Sequence, residues 1–412
     1  MFADWEGLPE GMLMGQLQSE LLRGKEVFSF QYSAEWLSSN FAQTLDPDLF
    51  YSEGLQYLSD DKTNFGLFLD SSPDRWGRVL LRRREAALAR LEKRTPVNLT
   101  ELDFLLGVFD GNRMGGLRFK RELDGPFLDD NKQYAVPAWA SLRELEQISL
   151  RLENDEASND PDYVHWLNLL VAPGSSLGGA RPKANVLDEK GHLWIAKFPS
   201  GQDTFDVGAW EMLTHRLAIK AGVDMSDAKA QVFSTKHHTF LTKRFDRTSF
   251  GKRKHFASAM TLLGYSDGEE AASYLELVEF ISSQGANVQA DLAQLYRRIA
   301  FSVAVSNVDD HLRNHGFLWT KDGWILSPAY DINPVETGSG LHLNISDVDN
   351  SLDWVLLKET APFYRLEPEM ADEIIQEVKE AVKEWEKEAK SVGINTSERD
   401  LKSNAFRMAL RN

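Results

Sequence analysis

The chain has 412 residues, 42% of them hydrophobic, with 11 Trp, no Cys and a formal net charge of −17. This length exceeds one ordinary core and predicts two or three packed subdomains, while the charge argues against a large basic stripe for direct nucleic-acid binding and leaves room only for a local patch. The lack of Cys excludes a disulfide framework and thiolate chemistry. With no apolar run of about twenty residues and no basic leader, the chain reads as cytoplasmic and not membrane-bound.

Residues 1–150 look mixed. "EVFSFQYSAEWL" has strand-like alternation at Val27, Phe28, Phe30 and Tyr32, and "DRWGRVLLRRREAALARLEKR" reads as a helix announced by the Pro/Asp start "SPDRWG". Its basic run, Arg82 to Arg84, suits a solvated helix face. "GNRMGGLRF" reads as a glycine turn entering a strand, and the polar stretch "RLENDEASNDPDY" at 151–163 as a loop or subdomain joint.

Residues 151–245 read as short strands around a glycine-rich loop. "GSSLGGARPKANVL" precedes the strand "GHLWIAKFPS", then a helix at about 206–221, then strands "AQVFS" and "HTFLTKRF"; "KGH" and "TKHH" suit hairpin turns. Residues 246–412 are expected to be mostly helical. "ADLAQLYRRIAFSVAVSNV" sets Leu292, Leu295, Ile299, Val303 and Ser306 at helical spacing. A hairpin follows, "HGFLW" and "WILSPAYD" joined by "TKDG". The chain closes in a charged amphipathic helix with Ile374, Val378, Val382 and Trp385 on one side.

Between the long helix and the hairpin lies "SNVDDHLRNHGFLW", with two Asp, two Asn and two His. A turn needs two or three such residues, so the rest call for another role. Phosphoryl transfer uses this set: a carboxylate for the acceptor hydroxyl, a metal-binding Asn five residues later, and a second metal-binding Asp after a hairpin. Asp309, Asn314 and Asp331 have that order, and the metal's preference for oxygen ligands suits Asn314 and Asp331. Upstream, Lys197 in "LWIAKFP" stands where a strand lysine would meet nucleotide phosphates, although alone it reads as a strand-edge lysine. "GSSLGGARPK" could present backbone N–H groups to phosphates, although it matches neither the Walker nor the protein-kinase glycine pattern.

Together these residues resemble the HipA-type kinases, the toxins of HipBA toxin–antitoxin modules. Asn307-Val-Asp309-Asp-His311-Leu-Arg-Asn314 fits the signature N-x-D-x-H-x-K/R-N, and "SSLGGARPKA" is similar to the loop S-x-x-G-A/G-x-x-K. "SPAYDI", "WIAKFP" and "KRFDR" resemble the metal-binding, nucleotide-lysine and hinge segments. "FSFQYSAEWL", "LFLDSSPDRWG" and "RMGGLRF" resemble the N-terminal subdomain.

The resemblance implies an α+β, two-lobed protein-kinase-like fold. It would comprise an N-terminal subdomain at 1–150, a β-rich N-lobe at 151–245 and a helical C-lobe at 246–412. It implies ATP and Mg²⁺ as cofactors, Asp309 as the base or hydroxyl-orienting carboxylate, and Asn314 and Asp331 on the metal. Gly178, Gly179, Ala180, Arg181, Pro182 and Lys183 would form the nucleotide loop, and Lys183 and Lys197 would contact phosphates. Lys243, Arg244 and Phe245 would form the adenine hinge. Tyr330 would lie at the nucleotide, and His311 near the phosphates or in support of the loop. Ser176, seven residues before Lys183, would be autophosphorylated, with Ser175 the alternative. Arg181-Pro182 departs from the Gln-Glu pair of some members.

The implied activity is serine/threonine kinase action on a cytoplasmic protein, an aminoacyl-tRNA synthetase being one target the resemblance suggests. The implied partner is a HipB-like helix-turn-helix antitoxin, with DNA reached only through it. Two other readings stay open: a small-molecule kinase of the aminoglycoside or choline type, and a non-catalytic partner of a DNA-binding repressor.

Overall fold

The computed structural model describes residues 1–41, 43–59, 62–128, 136–171, 179, 181–268 and 272–411. The chain divides into two compact units. The first comprises Met1–Gln202, Asp246–Ala257 and Gly264–Ser266; the second comprises Asp203–Phe245, Ser258–Leu263 and Asp267–Asn412. Among the described residues, no helix is long and apolar enough to cross a membrane.

In the first unit, strands Gly15–Leu22 and Lys25–Tyr32 form an antiparallel hairpin. Its two-residue turn, Arg23-Gly24, has positive φ at both positions, which matches the twist of the strands. Phe28, Phe30 and Tyr32 are buried, and Phe30 meets Phe68 at 5.7 Å between ring centroids. Each such ring contributes about 1.5–3 kcal/mol by leaving water, enough to fix the strand register.

The helix expected after "SPDRWG" runs Arg75–Leu91, and Asp74 caps it by accepting from Gly77 N at 2.9 Å. Its basic run is not wholly solvated. The Arg82 guanidinium lies over the Phe104 ring, and Arg83 donates to the Leu152 carbonyl. In "GNRMGGLRF" the buried Arg113 donates to the carbonyls of Ser71, Leu105 and Val108. Only the two residues Leu117–Arg118 are strand.

The stretch 151–163, expected as a loop or subdomain joint, is partly helical. It begins inside the helix Leu142–Leu152, contains a 3-10 turn at Asp155–Asn159, and leads into the helix Tyr163–Val171, which packs on Arg75–Leu91. The density of Asp and Asn masked an apolar series in the flanks, where Leu142, Leu145, Ile148 and Leu152 are buried. Beyond it, Lys183–Leu187 and Leu193–Lys197 pair as an antiparallel hairpin.

In the second unit, the helix Val207–Lys220 is capped by Asp206, and Ala228–Val232 pairs with His238–Lys243. A Cβ at Gly208 would sit 2.0 Å from the His238 carbonyl oxygen, so only glycine lets helix and hairpin approach this closely. The long helix runs Val288–Val305, with Leu292, Leu295, Ile299 and Val303 fully buried. Ser306, placed on that helix by spacing, is instead its left-handed C-cap at φ 52°. The hairpin Gly316–Thr320 and Gly323–Leu326 follows.

The C-terminal helix is also two. Pro368–Lys383 ends at Glu384, and Trp385–Val392 begins with the tryptophan. Trp385 is buried because it stacks on Phe406, with centroids 4.5 Å apart and planes within 8°. Two more short helices follow, Thr396–Lys402 and Arg407–Leu410.

Candidate active site

The loop after the long helix opens with strain. Ser306 takes the left-handed conformation, which costs a residue bearing a Cβ about 1–2 kcal/mol. Its Oγ offsets this by donating to the Ala405 carbonyl at 2.8 Å and accepting from Arg407 at 3.2 Å. The sharp reversal turns Asn307 inward and leaves Asp309 exposed.

Asn307 is buried and bonds in two directions. Its Nδ2 donates to Ser302 Oγ at 3.3 Å, and its Oδ1 accepts from Asn333 N at 3.1 Å. The second bond ties the loop to the segment that carries Asp331. That segment has one further tie to the loop, the Tyr330 hydroxyl donating to the Arg313 carbonyl at 2.7 Å, and within it Asn333 Nδ2 reaches Asp331 Oδ1 at 3.4 Å. Asp331 itself is half-buried, at φ 59°. Left-handed backbone at a non-glycine residue is held only where its surroundings determine it, and such residues concentrate at functional sites.

Asn314 lies in the 3-10 turn Leu312–Asn314, and its Nδ2 donates to the Asp309 carbonyl at 3.0 Å. The amide is thereby fixed to the loop's own backbone, and Oδ1 remains the atom available to a cation. His311 is half-buried and stands edge-on to His342 at 5.9 Å. Phe245 lies 5.6 Å from Tyr330, ring to ring. Lys243 ends its strand with its N–H already donated to the Asp227 carbonyl, and Arg244 is buried. Within this unit the structure thus gathers Asp309, His311, Asn314, Tyr330, Asp331 and Phe245.

Asp310, which sequence reasoning did not single out, points the opposite way from Asp309 and is 4% exposed. Its Oδ2 accepts from the Tyr274 hydroxyl at 2.7 Å and from Ser302 Oγ at 3.1 Å, and His315 Nε2 lies 3.0 Å from its Oδ1. Burial pushes this carboxyl up, but the neighbouring His315 ring and the hydroxyl donors outweigh burial and hold it below its ordinary range.

The first unit carries the other expected residues. Lys183 and Lys197 are directly opposite each other in the hairpin, hence on one face. Lys183 is 3% exposed; its Nζ lies 2.6 Å from Asp74 Oδ2 and donates to the Gly179 carbonyl at 2.9 Å. Burial raises the Asp74 carboxyl against the pull of that charge. Lys197 is half-buried, Gly179 is exposed, Pro182 is buried, and Arg181 is half-buried. Ser175, Ser176, Gly178 and Ala180 lie outside the described residues.

The comparisons fit this picture. The family model for the HipA-like C-terminal domain matches residues 175–385, just over half of the chain. The chain belongs to the HipA-like family. Its fold is shared with HipA of Shewanella oneidensis, solved as a complex of HipA, HipB and operator DNA. The TM-score is 0.63 at 16% identity, covering 96% of this chain and 93% of that one. The α+β, kinase-like fold expected from the sequence is therefore the fold observed. A Haemophilus influenzae protein named "Putative kinase" is 28% identical over 180 residues, covering 38% of this chain and 52% of that protein. This HipA-like chain thus spans about half the length of that curated relative. A Helicobacter pylori proinflammatory kinase, CtkA, aligns with 55% of this chain and 94% of its own at 12% identity. Its TM-score of 0.39 is too low to bear on the fold.

Proposed function

We propose that the chain is an ATP-dependent serine/threonine protein kinase of the HipA toxin type. The observation that carries this reading is the loop itself. It exposes Asp309, locks the Asn314 amide onto the Asp309 carbonyl, and is bonded through Asn307 to the Asp331 segment. Phosphoryl transfer depends mainly on positioning and electrostatics, and this arrangement supplies positioning.

In this reading Asp309 orients the acceptor hydroxyl and takes up its proton. The carboxylate of Asp331 and the Oδ1 of Asn314 would hold Mg²⁺. Among the described residues, no group of three or more His, Asp or Glu could cage a metal alone. Two hard oxygen donors suit Mg²⁺ carried by a nucleotide, since that ion usually keeps few protein ligands and completes its shell with phosphates and water. The metal would supply neutralisation of phosphate charge. Lys197 would meet the phosphates; Lys183 would do so only by exchanging Asp74 for phosphate. Gly178 to Lys183 would form the loop over the nucleotide, Lys243 to Phe245 and Tyr330 would meet the adenine end, and His311 would support the loop. Ser176 would take a regulatory phosphate, whose nearly two negative charges would compete with ATP for the same positive field.

For a partner we propose a small basic helix-turn-helix antitoxin; the Shewanella HipA was solved together with HipB and operator DNA. A chain of net charge −17 would reach DNA through such a partner rather than alone. The test is Mg·ATP turnover by the purified chain, with phosphoproteomics of cells expressing wild type against Asp309→Ala. Phosphorylated proteins present only with wild type support the reading. Identical phosphoproteomes and no turnover overturn it.

A further inference from the structure

The family signature asks for Asn307, Asp309, His311 and Asn314, and leaves position 310 open. Yet the Asp310 side chain bonds to elements well outside this loop. Tyr274 is the first residue of the helix Tyr274–Gln284, Ser302 lies in the last turn of Val288–Val305, and His315 follows the 3-10 turn. One carboxylate therefore joins two helices to both ends of the stretch 310–315, inside which Asn314 sits. His315 also packs edge-on against Tyr274, ring centroids 5.7 Å apart. A buried polar cluster around a carboxylate is no better for stability than a well-packed apolar one. What it offers instead is direction: the acceptor oxygens fix where the loop backbone lies.

We propose that Asp310 is a positioning residue for phosphoryl transfer, setting the loop that presents Asp309 and Asn314. This rests on the kinase reading. Asp310 touches no reacting atom. With its side chain pulled inward onto Tyr274, Ser302 and His315, the preceding residue is turned outward, and the carbonyl of Asp309 is placed to receive both His311 N at 3.0 Å and Asn314 Nδ2 at 3.0 Å. Loss of the carboxylate frees the loop to shift, and a displacement of about 1 Å at a catalytic group costs about 10²-fold in rate.

The experiment uses the full chain as wild type, Asp310→Asn, Tyr274→Phe and the double variant, measuring Mg·ATP turnover, calorimetric Mg·ATP affinity and melting temperature. Asp310→Asn should lower kcat about 10- to 100-fold and weaken Mg·ATP affinity by a smaller factor, because Asn314 is only one of the groups that would hold the metal nucleotide. Tyr274→Phe should lower kcat less. Adding it to Asp310→Asn should change little, since both act through one carboxylate. A folded Asp310→Asn with wild-type kcat overturns the role. So do rate losses that simply add in the double variant, the signature of two independent packing defects. Should Asp310→Asn not fold, Tyr274→Phe decides alone, and an unchanged kcat there overturns the role. Wild type without turnover overturns the kinase reading and this role with it. An active wild type with indifferent variants overturns only the role of Asp310.

Discussion

The loop at 306–315 and the hairpin at 183–197 each carry a pair of like charges, and each divides the pair the same way. In the loop, Asp310 is buried on Tyr274, Ser302 and His315 while Asp309 faces water. In the hairpin, Lys183 is buried on Asp74 while Lys197, directly opposite, stays half-buried. Two lysines facing each other across a hairpin repel, and the Asp74 carboxylate offsets this by neutralising one of them. In both places one member holds backbone in position, and in the proposed kinase reading its twin is the one that acts in chemistry. Identical residue types therefore predict different consequences when changed.

The largest effect should fall on the exposed member. Asp309→Asn should lower phosphoryl transfer by about 10²–10⁴-fold, the usual contribution of a positioned general base, with the melting temperature unchanged. A similar loss of stability in Asp309→Asn and Asp310→Asn would erase the distinction between them. Next comes the hairpin. Asp74→Ala strands a buried ammonium and also removes a helix cap, so it should cost about 3–5 kcal/mol in denaturant unfolding. Asp74→Asn keeps a cap, and paired with Lys183→Met it removes both charges; that double variant should recover most of the loss. If the double variant is as unstable as Asp74→Ala, the ion pair is not what holds the hairpin.

His255 supplies a smaller effect and a control, as a buried titratable group with burial the cause of its shift. It stacks on Trp5 at 4.6 Å, and burial lowers its pKa to about 3. Its folded pKa lies below the unfolded value near 6.5, so below that pH the unfolded chain binds a proton that the folded chain refuses. Stability should therefore fall as pH drops, by about 2 kcal/mol at pH 5. His255→Phe, which keeps a ring against Trp5, should lose that part of the slope. Parallel pH profiles for the two proteins would place the titration elsewhere.

What could be read from sequence was what local periodicity and turn chemistry carry. The Asp74 cap, the long helix with Leu292 to Val303, and the hairpin at 316–326 all follow from neighbours within a few residues. The α+β class came from ordered motifs, which also named Asp309, Asn314 and Asp331 as site candidates. Hidden were the features set by distant partners. Nothing near Asp310 in sequence announces Tyr274, 36 residues away, or predicts that two adjacent aspartates face opposite ways. The Lys183–Asp74 pair spans 109 residues. The helices on either side of 151–163 were hidden for another reason, since polar residues between them imitate a loop. Trp385 followed the helical spacing and still started a new helix, because its stacking on Phe406 was invisible in the local pattern.

The left-handed turn at Ser306 has a consequence for the order of assembly. It is held by the Ala405 carbonyl, 99 residues later, and Arg407 reaches both Ser306 Oγ and the Gly338 carbonyl. At about 5–20 residues per second of synthesis, the residues that complete the turn are translated roughly 5–20 s after the turn itself. During that interval a ribosome-bound chain already contains Asp309, Asn314 and Asp331 but not the clamp that fixes the loop start. The nascent protein is thus kept from finishing this loop until Ala405 and Arg407 have been made.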